Sequence, residues 1–360
     1  MTLKEFARLV GLSPTTVSRA LAGYPEVSEE TRRRVRDAAR ANGYRPNRRA
    51  ASLATGRSMS IGHVIPTSQE HEMVNPVFAD FIAGAGEVYA RSGYDMSMAV
   101  VSDGDEERAY QQMAINRSVD GIIVHGPRDG DRRVETLRAI GIPFVVHGRI
   151  PDAPLDYDFV DIDNRRALAR AAGLLLDLGH RRIALVNGLE SMDFARRRRD
   201  GYLAALAERG VAPDPALMRS AEMSEQEGYA AARAMLALPD PPTGWLASSM
   251  IMGIGVRRAL HEAGLAVGRD ASVVIHDDML SYLTNGPEVP IFTASRSSVR
   301  AAGRRCAEIL LARIADPGGR PMQEVWECDL VLGASTGPAP AGGGERPGTM
   351  TPSLPPGGLG

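Results

Sequence analysis

The tightest constraint on this chain lies in its first 21 residues, where end signals fix two short helices and the three-residue turn between them. Thr2-x-x-Glu5 reads as a capping box: the threonine hydroxyl accepts from a backbone N–H with no partner inside the helix, and the glutamate reaches back to the cap. Leu3, Phe6, Ala7 and Val10 recur at helical spacing and give one apolar face, and Gly11 ends the helix. Ser13 caps a second helix with Pro14 at its first position, where a missing N–H costs nothing. Val17, Ala20 and Leu21 form its inner stripe, so Thr15, Thr16, Ser18 and Arg19 are predicted to face outward. Gly23-Tyr24-Pro25 turns the chain, Ser28 opens a third helix with Glu29 and Glu30 at its positive end, and Asn42-Gly43 stops it. By spacing alone this is either a helix-turn-helix that reads DNA or a small helical bundle with a solvated basic face.

Charge bears on that choice. Residues 1–58 hold twelve Lys and Arg against five Asp and Glu, a surplus of seven, so a chain of net charge -2 leaves -9 for the remainder. A basic head on an acidic body points to a polyanionic partner for the head alone. Short hydroxyl side chains and an arginine on the outer face suit base edges and phosphates.

The literal residues are more specific. Thr2-Leu3-Lys4-Glu5-Phe6-Ala7, Gly11-Leu12-Ser13, Thr16-Val17-Ser18-Arg19-Ala20-Leu21, Val27-Ser28 and Asn42-Gly43-Tyr44-Arg45-Pro46-Asn47 resemble the DNA-binding headpiece of the LacI/GalR family of bacterial repressors. The resemblance implies DNA contacts from Thr2, Ser13, Pro14, Thr15, Thr16, Ser18 and Arg19, with Pro14 and Thr15 at the positions that vary with the operator. Asn47 to Ala54 resembles the family's hinge helix, implying further contacts from Asn47, Arg48, Ala50 and Leu53. Leu53 stands where the family carries an apolar wedge for the minor groove. So short a helix does not persist alone in water, so it is expected to form only when two copies pair on DNA.

From residue 59 short apolar runs alternate with amphipathic helices, the pattern of parallel α/β layering. Runs at 61–65, 96–101, 121–125 and 143–147 read as a first series of strands, and runs at 182–186, 244–247 and 272–275 as a second. The chain is predicted to return to the first lobe near 291, to recross near 323, and to end in a strand over 325–332. Asn75-Pro76-Val77-Phe78, Val119-Asp120-Gly121-Ile122-Ile123, Leu178-Gly179-His180-Arg181-Arg182-Ile183-Ala184 and His276-Asp277-Asp278 resemble the same family's effector domain, whose fold is that of type I periplasmic sugar-binding proteins. The fold class expected is therefore α plus α/β: a headpiece over 1–46, hinge and linker over 47–58, and a two-lobed effector and dimerisation domain over 59–333. Lobe 1 takes about 59–161 and 291–323, lobe 2 about 162–290 and 324–333. Residues 334–360, rich in Gly, Pro, Ala and Ser, are predicted to be a disordered tail. They carry no leucine heptad, so a homodimer is expected rather than a tetramer.

Ligands in such sheets bind at the carboxyl ends of the strands. That places an effector site between the lobes, with Pro66, Phe78, His125 and His147 on one side and Arg198, Ser249 and Asp277 on the other. An arginine fork and a carboxylate make paired hydrogen bonds to vicinal hydroxyls, and Phe78 can cover a sugar ring. Arg198 could equally belong to a solvated run with Arg196, Arg197 and Arg199, and Asp277 could be a loop cap. Where many relatives carry Asn-Asp, Ser248-Ser249 stands here, which favours a disaccharide over a monosaccharide. The wording near 276–278 and 293–297 is similar to repressors of α-glucoside use.

Other classes fit less well. GxGxxG, GxxxxGK[ST] and HExxH are all absent from the sequence, so neither an enzyme nor a cofactor is expected. Asp161 with Asp163, or Asp277 with Asp278, could form a metal pair, but acids at strand ends more often cap or accept. Cys306 and Cys328 lie far apart with no CxxC, so no disulfide or zinc site is predicted. No apolar run reaches the roughly 20 residues of a membrane span, and no signal-like segment opens the chain, which predicts a cytoplasmic protein. The resemblance implies palindromic operator DNA and a mono- or disaccharide as partners. An activator, or a corepressor-dependent regulator with a non-sugar effector, fits the same residues.

Overall fold

The computed structural model describes residues 1–21, 23–44, 57–66, 76–102, 104–150, 154, 156–286 and 288–340. In the head, α1 (Leu3–Val10), α2 (Pro14–Leu21) and α3 (Glu29–Ala41) follow the end signals. The capping box is formed: Thr2 N donates to Glu5 Oε2 at 2.7 Å and Glu5 N to Thr2 Oγ1 at 3.3 Å. Gly11 takes φ 68°, the left-handed turn that a Cβ would disfavour. Phe6, Val17, Ala20 and Val35 close a small core in which Phe6 stacks on Tyr44 with ring centroids 4.1 Å apart. The hinge expected at 47–54, with Asn47, Arg48, Ala50 and Leu53, lies outside the described residues.

The body opens with β1 (Ser60–Pro66), α4 (Pro76–Ser92), β2 (Asp95–Val101), α5 (Glu106–Ile115), β3 (Gly121–His125), α6 (Arg133–Ile140), β4 (Phe144–His147) and β5 (Asp158–Ile162). A second series follows: α7 (Asn164–Asp177), β6 (Ile183–Asn187), α8 (Asp193–Glu208), β7 (Met218–Ser220), α9 (Glu225–Leu236), β8 (Gly244–Ala247), α10 (Met250–Glu262) and β9 (Ser272–Asp277). The last elements are β10 (Thr293–Arg296), α11 (Val299–Ala315), β11 (Gln323–Trp326) and β12 (Asp329–Val331). Among the described residues the strands form two six-stranded sheets, in the orders β11-β5-β4-β3-β1-β2 and β12-β10-β9-β8-β6-β7. All pairs are parallel except β10 with β12. Helices cover both faces of each sheet, which is why β6, β8 and β9 are buried along their whole length and read as unbroken apolar runs.

Three details differ from the sequence reading. The return to the first lobe comes after Arg296 rather than near 291, because β10 pairs in register with β9 and Phe292 and Ala294 sit in the second lobe's core. The strand expected over 325–332 is two strands in two sheets: β11 pairs with β5, the chain crosses at Glu327-Cys328, and β12 pairs with β10. Residues 334–340, assigned to a disordered tail, are instead bound to the second lobe. Val273 N donates to Ser335 O at 2.9 Å, Gly337 N to Ser272 Oγ at 3.0 Å and Ala339 N to Leu178 O at 2.8 Å. A Pro- and Gly-rich segment without apolar periodicity is held here by its backbone polar groups, a signal that hydrophobic pattern does not carry.

One packing contact positions the site. A Cβ on Gly303 would lie 2.1 Å from Phe81 O and one on Gly84 2.0 Å from Arg300 O, so α4 and α11 meet backbone to backbone. That close approach sets the N-terminal turns of α4 against the ends of β3 and β4.

Candidate effector cleft

Between the lobes lies a cavity of about 210 Å³. On the first-lobe side Phe78 and Phe81, one helical turn apart on α4, face histidines at the ends of two neighbouring strands. Phe78 and His125 meet edge to face at 5.1 Å, and Phe81 lies 4.5 Å from His147. His125 Nε2 shares a hydrogen bond with His63 Nδ1 at 3.0 Å, and His63 Nε2 shares one with the Tyr89 hydroxyl at 3.1 Å. Burial lowers His63 to about 3 and His147 to about 4; His125 is also held well below its ordinary value, by burial and then by His63 and His147. All three are therefore neutral near pH 7, each ring able to donate at one nitrogen and accept at the other.

The second-lobe side is built around Arg198 on α8. It is buried; its Nε donates to Asn164 Oδ1 at 2.8 Å and its Nη1 to Ser248 O at 2.6 Å, while its guanidinium sits 5.0 Å over the Phe194 ring. Among the described residues Nη2 has no protein acceptor. Burial draws its pKa down and Asp278 draws it up, but a guanidinium stays charged. Asp278 also lines the cavity. Burial pushes its carboxyl up, yet His276, Arg198 and His147 outweigh this and hold it below the usual range. Because burial keeps His276 itself low, its contribution is a polar contact, Nε2 to Asp278 Oδ1 at 3.4 Å, and Arg198 supplies the charge. Asp161 accepts from Arg149 Nε at 2.6 Å, and Asp163 caps α7, so neither acid is left for a metal pair. The lobes touch at the mouth: Asp193 N donates to Pro127 O at 2.9 Å, and Arg128 bridges Met192.

Of the seven residues expected here, Phe78, His125, His147 and Arg198 line the cavity. Asp277 does not. It is buried beside the cavity, where its Oδ1 accepts from Met279 N at 2.9 Å and holds that residue at φ 54°, with Arg296 Nε 3.7 Å from Oδ2. Neighbours at a strand end point opposite ways, so choosing between Asp277 and Asp278 needs the strand's orientation. Ser249 is the N-cap of α10, accepting from Met252 N at 3.2 Å, and is also off the cavity. Pro66 ends β1 away from the described lining, and residues 67–75 beyond it lie outside the described residues. The sequence reading missed Phe81, Asn164 and Asp278; the first two were accessible, Phe81 from its three-residue spacing to Phe78 and Asn164 from its place after Asp163.

In the head, Thr2, Ser13, Pro14, Thr15 and Arg19 are exposed, and Thr16 and Ser18 are half-buried. Ser13 Oγ accepts from Thr16 N at 3.0 Å, the expected cap, and pairs with Thr16 Oγ1 at 2.8 Å. The outer face of α2 thus presents hydroxyls and one cation together.

The buried histidines make stability acid-sensitive. Their folded pKa values lie below the unfolded 6.5, so below that pH the unfolded chain binds protons the folded chain refuses. Stability is expected to be full above about pH 7 and to fall toward pH 5 by about 1.4 kcal/mol per pH unit for each such histidine. Urea melts at pH 7.5 and pH 5.5 test this, with His147→Asn expected to flatten the slope; equal midpoints at both pH values would refute it.

A helix-turn-helix head in one chain with two parallel α/β lobes closed on a ligand-sized cavity defines a transcription regulator with a small-molecule-binding body. Residues 2–47 match the family described as bacterial regulatory proteins, lacI family, and residues 172–336 match the periplasmic binding protein-like domain. The HTH-type transcriptional regulator AglR of Rhizobium meliloti (strain 1021) is 46% identical over 343 residues, spanning 94% of this chain and 95% of the relative. RafR of Escherichia coli, also an HTH-type transcriptional regulator, is 32% identical over 91% of this chain and 96% of its own length. Among solved structures, the transcriptional regulator CelR–cellobiose complex aligns with TM-score 0.68 and 30% identity, over 93% of this chain and 99% of that one. The Lac repressor dimer bound to operator and the anti-inducer ONPF aligns with TM-score 0.79 and 25% identity, over 94% of this chain and 99% of that one. This chain belongs to the LacI family of bacterial transcription regulators. It is not an enzyme. Among the described residues no helix is long and apolar enough to cross a membrane.

Proposed function

We propose that the chain is a cytoplasmic, homodimeric repressor of carbohydrate-utilisation genes that reads a palindromic operator with α2 and is controlled by a sugar in the cleft. The observation that carries this reading is the cavity itself, with Arg198 and Asp278 on the wall opposite Phe78, Phe81 and two neutral histidines. A ring with hydroxyls on its edge and C–H groups on its face asks for that combination. The likeness to a regulator solved with cellobiose supports a disaccharide, and the wording of the sequence an α-glucoside. Thr15, Thr16, Ser18 and Arg19 are the proposed contacts to base edges and phosphates, with Thr2, Ser13 and Pro14 beside them; Asn47, Arg48, Ala50 and Leu53 would add hinge contacts.

Calorimetry of the chain with a panel of disaccharides, followed by operator binding with each hit, tests the proposal. A sugar that binds and weakens operator affinity is the expected result; a panel without binding, or binding without effect on DNA, would sink it. Within that panel Asp278→Asn should lower affinity about tenfold or more, since a hydrogen bond to a charged group is worth about 1.5–3 kcal/mol. Asp277→Asn should leave affinity near wild type. The opposite ranking would return the ligand contact to Asp277.

A further inference from the structure

We propose that the cleft takes an uncharged polyhydroxylated effector and excludes its phosphorylated counterpart, because among the described residues the arginines around the cavity, apart from one nitrogen of Arg198, and the N-terminal ends of α7, α8 and α9 are already held by the protein's own acceptors; this rests on the sugar reading above. A phosphate ester brings close to two negative charges and three acceptor oxygens, and it is bound by unpaired arginines, lysines or open helix N-termini. Arg149 donates to Asp161. Arg196 and Arg197 both donate to Asp193, at 3.0 and 2.5 Å. Arg198 is tied to Asn164 and Ser248 with Asp278 close by, which leaves one nitrogen for a ligand.

Three of the helix ends are closed in the same way. α7 is capped by Asp163, and Arg166 N donates to it at 3.0 Å. α8 carries the Asp193 carboxylate in its first turn, and Asp193 N is bonded to Pro127 O. α9 is capped by Ser224 and opens with Glu225 and Glu227. His125 and His147 add no charge, since burial keeps both neutral. By sequence, residues 67–75 hold Glu70, His71 and Glu72 but no Lys or Arg. Hydroxyls fare differently: Asp278 and Asn164 offer acceptors, Arg198 one donor, and the histidines either role, so a neutral polyol finds partners where an anion would displace an existing ion pair.

The test is calorimetry of the full chain with trehalose, sucrose, maltose and cellobiose, and with trehalose 6-phosphate and sucrose 6-phosphate. At least one free sugar should bind, and a phosphate ester of trehalose or sucrose should bind at least about 100-fold more weakly than that sugar. An ester that binds as tightly as the best free sugar overturns the exclusion of anions and leaves the sugar reading standing. Failure of all six overturns the sugar reading, and the exclusion with it. Asp193→Asn removes the negative charge that holds Arg196 and Arg197 and stands in the first turn of α8, so it should reduce the discrimination between ester and free sugar at least about tenfold. An unchanged ratio in that variant, with wild-type circular dichroism and melting, would overturn the account of how anions are excluded.

Discussion

Phe6→Ala is expected to abolish DNA binding while effector binding by the body persists. Phe6 is fully buried at the centre of the head and stacks on Tyr44, which ties the end of α3 back to α1. Truncating a buried phenylalanine costs about 3–5 kcal/mol. A module this small has only about 3–5 kcal/mol of stability to lose, so the head should be largely unfolded. The body keeps its own cores and does not share Phe6. Anisotropy titration of duplex DNA and calorimetry with the effector, on the same preparation, separate the two activities. Wild-type DNA affinity in this variant would mean that the head does not depend on the Phe6–Tyr44 stack.

Arg198→Ala should cost about 2–4 kcal/mol of effector affinity, a loss of roughly 30- to 1000-fold, with operator binding retained. The cost has two parts. The ligand loses a charged donor, and Asn164 Oδ1 and Ser248 O lose theirs in a buried place. Asn164 stands where the chain first crosses between lobes and its Nδ2 donates to Ile162 O at 3.2 Å, so the arginine joins the ligand wall to a crossover. The resulting protein should hold DNA in the presence of effector and fail to release it. Arg198→Lys should recover little, because a point charge cannot serve two fixed acceptors and a ligand together. Effector affinity within twofold of wild type in both variants would remove Arg198 from the site.

The sequence by itself determined whatever depends on near neighbours. The capping box, the Gly11 stop, the Ser13 cap and the inner stripe of α2 act within about four residues, and each stands where its residues place it. The alternation of apolar runs and helices was legible for the same reason, since a strand buried on both faces must be apolar throughout. His125 and His147 could be placed at a cleft because parallel sheets present strand ends there, and Phe78 and Arg198 through the family resemblance of the residues around them. The tertiary structure alone decided what depends on distant partners. Whether Asp277 or Asp278 meets the cavity turns on the orientation of β9 against Arg198 and Arg296. Whether 323–331 is one strand or two turns on pairing with β5 and β10, some 164 and 35 residues away in register. The fate of 334–340 turns on acceptors and donors at Ser272, Val273 and Leu178. A chain carries its local preferences in adjacent side chains, but a hydrogen bond across 60 or more residues is fixed only when packing brings both ends together.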